Sequence, residues 1–173
     1  MAMNIQEEFN NQWRDIQDVV LSDAKRQIKF HGRVNKEDLT KKLEHETSKW
    51  QRGVLVRGVL YQEMVERNNS NALLFAETAK RFQFEEPIHN RIPSFWWLDV
   101  ICLIPVAIMA IVLHCYTEMN TIEEIFYPTL IYVFLSALCV PVKNKKKDQT
   151  ANQILSDIES QMSGMKLSLD QYL

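Results

Sequence analysis

Three polar side chains stand within the most apolar stretch of this sequence and are of types that can do chemistry: Asp99, His114 and Ser136. They fall in residues 92–142, which contain no Lys or Arg, although the chain of 173 residues has 20 of these. In a bilayer, a central carboxylate costs about 2.5–3.5 kcal/mol on insertion scales, and a histidine titrates near neutral pH. The three residues are therefore candidates for intramembrane polar contacts. For Asp99 and His114 the favoured interpretation is a solvated position near the membrane surface, and a contact to a partner helix or a water-filled path is the alternative.

The rest of the sequence offers no catalytic pattern. Its Ser, His and Asp residues show no nucleophile–base spacing, and its four glycines are too scattered for a phosphate-binding loop. The three cysteines all lie in the apolar stretch, where they are expected to act as small hydrophobic side chains (Cys102, Cys115 and Cys139). We predict no enzyme activity, no cofactor, no metal site and no small-molecule substrate. Residues 1–91 carry 15 basic and 14 acidic side chains, which argues against a nucleic-acid partner.

The elements that position these residues are two apolar runs, at about 95–116 and 125–142. At ~1.5 Å per residue the first covers roughly 33 Å and the second roughly 27 Å, close to the ~30 Å of a hydrocarbon core. Neither run has the polar face that a soluble helix needs. The connection, residues 117–124, is too short to cross a membrane again, so the sequence predicts a two-span antiparallel transmembrane hairpin.

Basic residues set the expected orientation, because Lys and Arg near span ends stay in the cytoplasm. The first span is preceded by Arg91, and the second is followed by a topogenic basic run (Lys143, Lys145, Lys146 and Lys147). The charged residues of the connection are all acidic (Glu118, Glu123 and Glu124). We predict that both termini are cytoplasmic. The bacterial inner membrane is the expected membrane because no organelle transit or retention signal is visible in the sequence, and an organelle membrane is the alternative. Pro141 and the basic run are expected to end the second span.

Residues 1–94 are predicted to form a cytoplasmic helical domain, with helices at about 4–30, 35–67 and 72–84 and a linker at 85–94. The first helix carries an apolar stripe that includes Trp13, and Trp50 belongs to the stripe of the second. Bulky side chains such as these are costly to leave in water. Another helix, a second subunit or a lipid surface is expected to cover them.

Residues 143–173 are predicted to form a basic juxtamembrane segment and a short amphipathic tail helix. Apolar residues in the tail are spaced by four and three in turn, as in a helix that pairs with another helix (Ala151, Leu155, Ile158, Met162, Met165 and Leu169). The spacing leaves three partners open. The tail docks onto the chain's own helices, onto a copy of itself, or onto a foreign protein or lipid surface.

The sequence thus predicts an all-α membrane protein and leaves three function classes. The favoured one is a non-enzymatic inner-membrane protein that acts by helix-mediated binding, as an immunity or exclusion protein or a subunit of an envelope complex. The second is a self-assembling pore or membrane-disrupting effector gated by the cytoplasmic helices. The third is a membrane-shaping or tethering hairpin. The expected partners are the lipid bilayer and another membrane or envelope protein, a second copy, or both.

Overall fold

The computed structural model describes residues 5–51, 60–85, 91–116 and 121–173. These residues form six α-helices: α1 (Ile5–His31), α2 (Lys36–Gln51), α3 (Leu60–Arg67), α4 (Asn69–Lys80), α5 (Trp96–Tyr116) and α6 (Thr121–Asp170). No strand occurs in these ranges. Within them, Arg33 and Arg91 form an isolated antiparallel β-bridge. The predicted all-α class is therefore confirmed.

The chain divides into two compact units. The first, called here the bundle, comprises Met1–Ile92 and Ala151–Leu173 and so draws on both ends of the sequence. The second, called the apolar unit, comprises Pro93–Thr150. The tail helix, which the sequence sets apart as a separate segment, thus belongs to the same compact unit as the N-terminal helices.

Helix α1 forms because its apolar side chains recur every three or four residues and so share one face. That face is buried (Ile5, Phe9, Trp13, Ile16, Val20, Ala24 and Ile28). The helix ends at His31, where Gly32 adopts a positive φ of 63° that favours glycine. The carbonyl of Gly32 accepts a hydrogen bond of 2.8 Å from the Ile92 amide. This bond holds the turn after α1 to the end of the linker that precedes the apolar unit.

Helices α2 and α4 each begin at an asparagine cap. The Asn35 Oδ1 accepts a hydrogen bond from the Glu37 amide at 3.0 Å at the start of α2, and the Asn68 Oδ1 accepts one from the Asn71 amide at 3.2 Å at the start of α4. The third predicted helix therefore begins near residue 69 instead of 72, and it ends at Lys80. The predicted helix 35–67 appears as α2 and α3, and residues 52–59 between them lie outside the described ranges.

The core of the bundle is a cluster of aromatic and aliphatic side chains. The Trp13 ring packs 6.1 Å from Phe9 and 6.2 Å from Phe82, and the Phe9 ring lies 5.9 Å from Phe75. Four side chains of the tail complete this core (Ile154, Ile158, Met162 and Leu169). The spacing leaves three partners open for the tail, and in this structure the tail packs against the chain's own helices.

Helix α6 does not end near Pro141, as expected, but continues to Asp170 with Pro128 and Pro141 inside it. A proline removes one backbone donor and strains one turn. The residues after it are rich in helix-forming Lys, Gln, Ala and Leu, and the buried tail face stabilises the helix further. The helix also begins earlier than expected, since Thr121–Glu124 form its first turn. Acidic residues at this N-terminal position suit the helix dipole.

Both α5 and α6 contain a segment long and apolar enough to cross a membrane, beginning at Trp96 and Ile125. Only 6% of each window is buried within the structure. A core helix of a soluble domain would have most of its side chains covered. These two segments instead leave large aliphatic side chains exposed along their length.

Candidate functional site

The candidate site lies where α5 and α6 contact each other inside the apolar unit. Less exposed side chains recur every three or four residues on both helices, as expected where two helices pack. On α5 these include Asp99, Cys102, Val106 and Ala110, and on α6 they include Tyr132, Ser136, Cys139 and Lys143. Several are small, and small side chains let apolar helices approach closely. This row is called the seam.

An ion pair lies at one end of the seam. The Lys143 Nζ donates a hydrogen bond to the Asp99 Oδ1. Their side chains are 21% and 43% exposed, respectively, so the pair is partly solvated. The lysine supplies a compensating charge for the one carboxylate that the sequence places inside the first span. Sequence reasoning singled out both residues, but for separate roles.

Aromatic rings surround a second lysine beside this pair. The Lys146 Nζ lies 5.1 Å from the centroid of the Trp97 ring and 5.8 Å from that of the Phe95 ring. Cations are attracted to the faces of such rings, and Trp is enriched where a membrane meets water. Lys145 and Lys147 are exposed instead. Two lysines of the basic run therefore contact α5 or Phe95 just before it, and the other two are open to solvent.

The next step along the seam brings two thiols together. The Sγ atoms of Cys102 and Cys139 are 3.2 Å apart, and Cys102 is only 5% exposed. Sequence reasoning missed this contact because it treated the cysteines as unrelated small side chains. A signal was available, since Cys102 and Cys139 are equally far from the middle of residues 117–124, as are Asp99 and Lys143 to within one residue. In an antiparallel pair, equidistant residues face each other.

The other predicted polar residues are not brought together with Asp99. The Ser136 Oγ is buried without a hydrogen-bond partner among the described residues, one turn before Cys139. His114 is exposed near the opposite end of α5. At ~1.5 Å per residue it lies about 22 Å along the helix from Asp99. The loop acids are not placed, because Glu118 and the side chains of Glu123 and Glu124 lie outside what the structure describes.

The predicted interaction seams of the bundle face inward. Trp13 is 1% exposed, and Ile158 and Met162 are also buried. Leu155 and Met165 pack half-buried against the same core. The side chain of Trp50 lies outside the described part of the chain. The placed side chains are therefore engaged by the chain's own helices and do not form an open surface on the bundle.

A buried carboxylate that sequence reasoning missed lies on α2. Glu46 is 8% exposed, and its carboxylate contacts the Nζ of Lys49 at 2.7 Å and that of Lys42 at 3.4 Å. Burial alone would raise the pKa of Glu46, but the hydrogen bonds and charges of the two lysines outweigh it and hold the pKa below its ordinary value. Their spacing of three and four residues on one helix was the available signal.

Comparison with known proteins identifies no relative. No family model, no curated protein and no solved structure matches the chain. Within the described residues, no group of three or more His, Cys, Asp or Glu side chains is placed to hold a metal ion.

Proposed function

We propose that this chain is a non-enzymatic integral membrane protein that acts by binding another protein. In this proposal α5 and the apolar part of α6 form a transmembrane hairpin in the bacterial inner membrane, and the bundle is its cytoplasmic binding domain. An immunity or exclusion protein, or a subunit of an envelope complex, has this organisation. The observation that carries the proposal is the apolar unit, in which Asp99 and Cys102 meet Lys143 and Cys139 in the seam while large aliphatic side chains are exposed along both helices.

The outward faces of the two helices support membrane insertion. Ile104, Ile108 and Ile111 on α5 are 56%, 59% and 63% exposed, and Val133 and Phe134 on α6 are 61% and 64% exposed. Exposed apolar surface of this extent is unfavourable in water and marks a lipid or protein contact. Lipid fits best because the exposed side chains continue around both helices instead of forming one patch.

The bundle supports a hairpin with both flanks on one side of the membrane. Residues before α5 and residues after position 150 share a single buried core. Two such flanks can fold together only if the chain between them crosses an even number of times. The contacts of the seam agree, since partners on α6 fall from Lys143 to Cys139 as those on α5 rise from Asp99 to Cys102. The lysines at this end favour the cytoplasm.

The seam favours a binding role over a pore. A pore built from several copies would need Asp99, Ser136 or His114 on a face that lines water. Asp99 instead pairs with Lys143, and the Ser136 hydroxyl is buried one turn before Cys139. Of the three residues, Asp99 thus has a partner within the single chain and the Ser136 hydroxyl faces the seam, and only His114 is exposed, so the three do not share one exposed face.

The binding surface that we propose lies on α4. Its inner face is made of small residues together with Phe75 (Ala72, Ala76 and Ala79), whereas the larger Leu73 and Leu74 are 55% and 47% exposed. A helix usually buries its largest aliphatic side chains and exposes its smaller ones. The inverted pattern suits a face that is covered by a partner protein.

The experiment is photocrosslinking in cells that express the full chain. A photoreactive amino acid at Leu73 should give one adduct with a second protein. The same probe at Lys25, an exposed polar position of α1, serves as the matched control and should give none. In a chain with the probe at Glu77 on the same exposed face of α4, the double substitution Leu73→Ser and Leu74→Ser should abolish the adduct while membrane extraction is unchanged. Equal adducts from positions 73 and 25, or none from either, would refute the proposed surface.

A further inference from the structure

Two thiols face each other across the seam, and the function proposed above does not use them. The Sγ atoms of Cys102 and Cys139 lie 3.2 Å apart on different helices. A disulfide bond has an S–S length of about 2.05 Å, so closure requires an approach of about 1.2 Å. The third cysteine, Cys115, is exposed near the other end of α5.

We propose that Cys102 and Cys139 form a disulfide that joins α5 to α6 when the protein meets an organic hydroperoxide. The neighbours of both cysteines along the chain are apolar, and Cys102 is buried and Cys139 half-buried. Such surroundings admit an apolar oxidant more readily than a charged one, because a charged molecule would lose its hydration. A hydroperoxide with a hydrocarbon body combines the required O–O bond with that polarity.

The chemistry balances in two steps. One cysteine sulfur attacks the terminal oxygen of the hydroperoxide and breaks the O–O bond. The sulfur is oxidised to a sulfenic acid, and the hydroperoxide is reduced to an alcohol that takes up the thiol proton. The second sulfur then displaces the sulfenic oxygen, which leaves as water with the second thiol proton, and the S–S bond forms. Two electrons pass from the two thiols to one hydroperoxide.

The disulfide would act as a covalent lock next to the ion pair. Cys102 follows Asp99 by one turn of α5, and Cys139 precedes Lys143 by one turn of α6. Once joined, the two helices cannot separate at this end, whatever the charge on the ion pair. The inference goes beyond the proposed function, because it concerns a covalent step within the apolar unit and holds whether or not α4 binds a partner.

The test uses the full chain, purified in detergent micelles and treated with cumene hydroperoxide. The Cys115→Ser variant retains only the facing pair. Its two thiols should disappear together, peptide mapping should recover Cys102 linked to Cys139, and dithiothreitol should restore both thiols. Two further variants add Cys102→Ser or Cys139→Ser and so leave one seam cysteine. In these variants the oxidised sulfur should be recovered as a dimedone-reactive sulfenic acid or as a sulfinic acid, and no intramolecular disulfide should form, because no neighbouring thiol converts the sulfenic acid to a disulfide.

Oxidised methionine in the same sample shows that the hydroperoxide has reached the protein. If methionines are oxidised while Cys102 and Cys139 still react with iodoacetamide, the proposal is wrong. A disulfide that joins two separate chains would also overturn it. These outcomes are independent of the crosslinking at Leu73, so failure of one proposal leaves the other standing.

Discussion

Charged residues of the apolar unit pair with other residues of the same chain. The carboxylate of Asp99 meets the ammonium of Lys143, and the rings of Phe95 and Trp97 receive Lys146. Partly exposed ion pairs contribute modestly to stability because water still solvates both groups. The larger consequence is that, among the side chains that the structure describes on the faces we assign to lipid, no carboxylate is left uncompensated.

The ion pair can be tested by a double-mutant cycle. We expect Asp99→Asn and Lys143→Gln to lower the free energy of unfolding in detergent, with a coupling of about 0.5–1 kcal/mol between them. Unfolding followed by tryptophan fluorescence measures each variant.

Lys145 supplies the matched control for this cycle, because it is exposed in the same basic run. Asp99→Asn combined with Lys145→Gln should show additive effects. Equal coupling to both lysines would mean that Asp99 senses the general basic charge and has no particular partner.

Much of this site was open to prediction from the sequence. The cost of a carboxylate in an apolar helix singled out Asp99, and the flanking charge singled out Lys143. Their pairing, and that of the two seam cysteines, needed only the count of residues from the middle of the connection. Glu46 was harder to foresee, because its burial depends on how α2 packs and not on its neighbours in sequence.

At the scale of the helices, spacing predicts which face is buried but not what covers it. The steps of four and three in the tail predict a helix face that packs against another helix, and the structure buries Ile158 and Met162 of that face, yet the same steps suit a partner chain equally well. The predicted stripe also left out Ile154, which is 0% exposed and lies next to Leu155 of the stripe, so the buried face of the tail is wider than the spacing predicted. The continuation of α6 through Pro141 was missed because local rules count the lost hydrogen bond but not the distant packing of the tail.

Docking of the tail is testable by a buried and an exposed substitution on the same helix. Ile158 is 1% exposed and Leu167 is 70% exposed. We expect Ile158→Ala to destabilise the bundle by about 2–5 kcal/mol, since it leaves a cavity among α1 and its neighbours. Leu167→Ala should change stability by no more than about 0.5 kcal/mol. Chemical unfolding of the full chain provides both values, and similar effects of the two substitutions would argue against a docked tail.

At the scale of the whole molecule, the two units differ in which kinds of side chain they expose. The bundle buries aromatic and aliphatic side chains in a shared core, although Leu73, Leu74 and Leu167 are exposed. In the apolar unit, Asp99 and Cys102 instead meet Lys143 and Cys139 between the two helices, and large aliphatic side chains of α5 and α6 are exposed. A single chain that carries both patterns agrees with the membrane hairpin and separate helical domain that we propose.

Trypsin treatment of sealed membrane vesicles, followed by a carbonate wash, tests this central claim most directly. Trypsin cuts after Lys and Arg, and none occurs between Arg91 and Lys143. We predict that inside-out vesicles yield a membrane-bound fragment bounded by Arg91 and the basic run, and that right-side-out vesicles leave the chain intact. Cleavage in right-side-out vesicles, or release of the fragment by carbonate, would contradict the account.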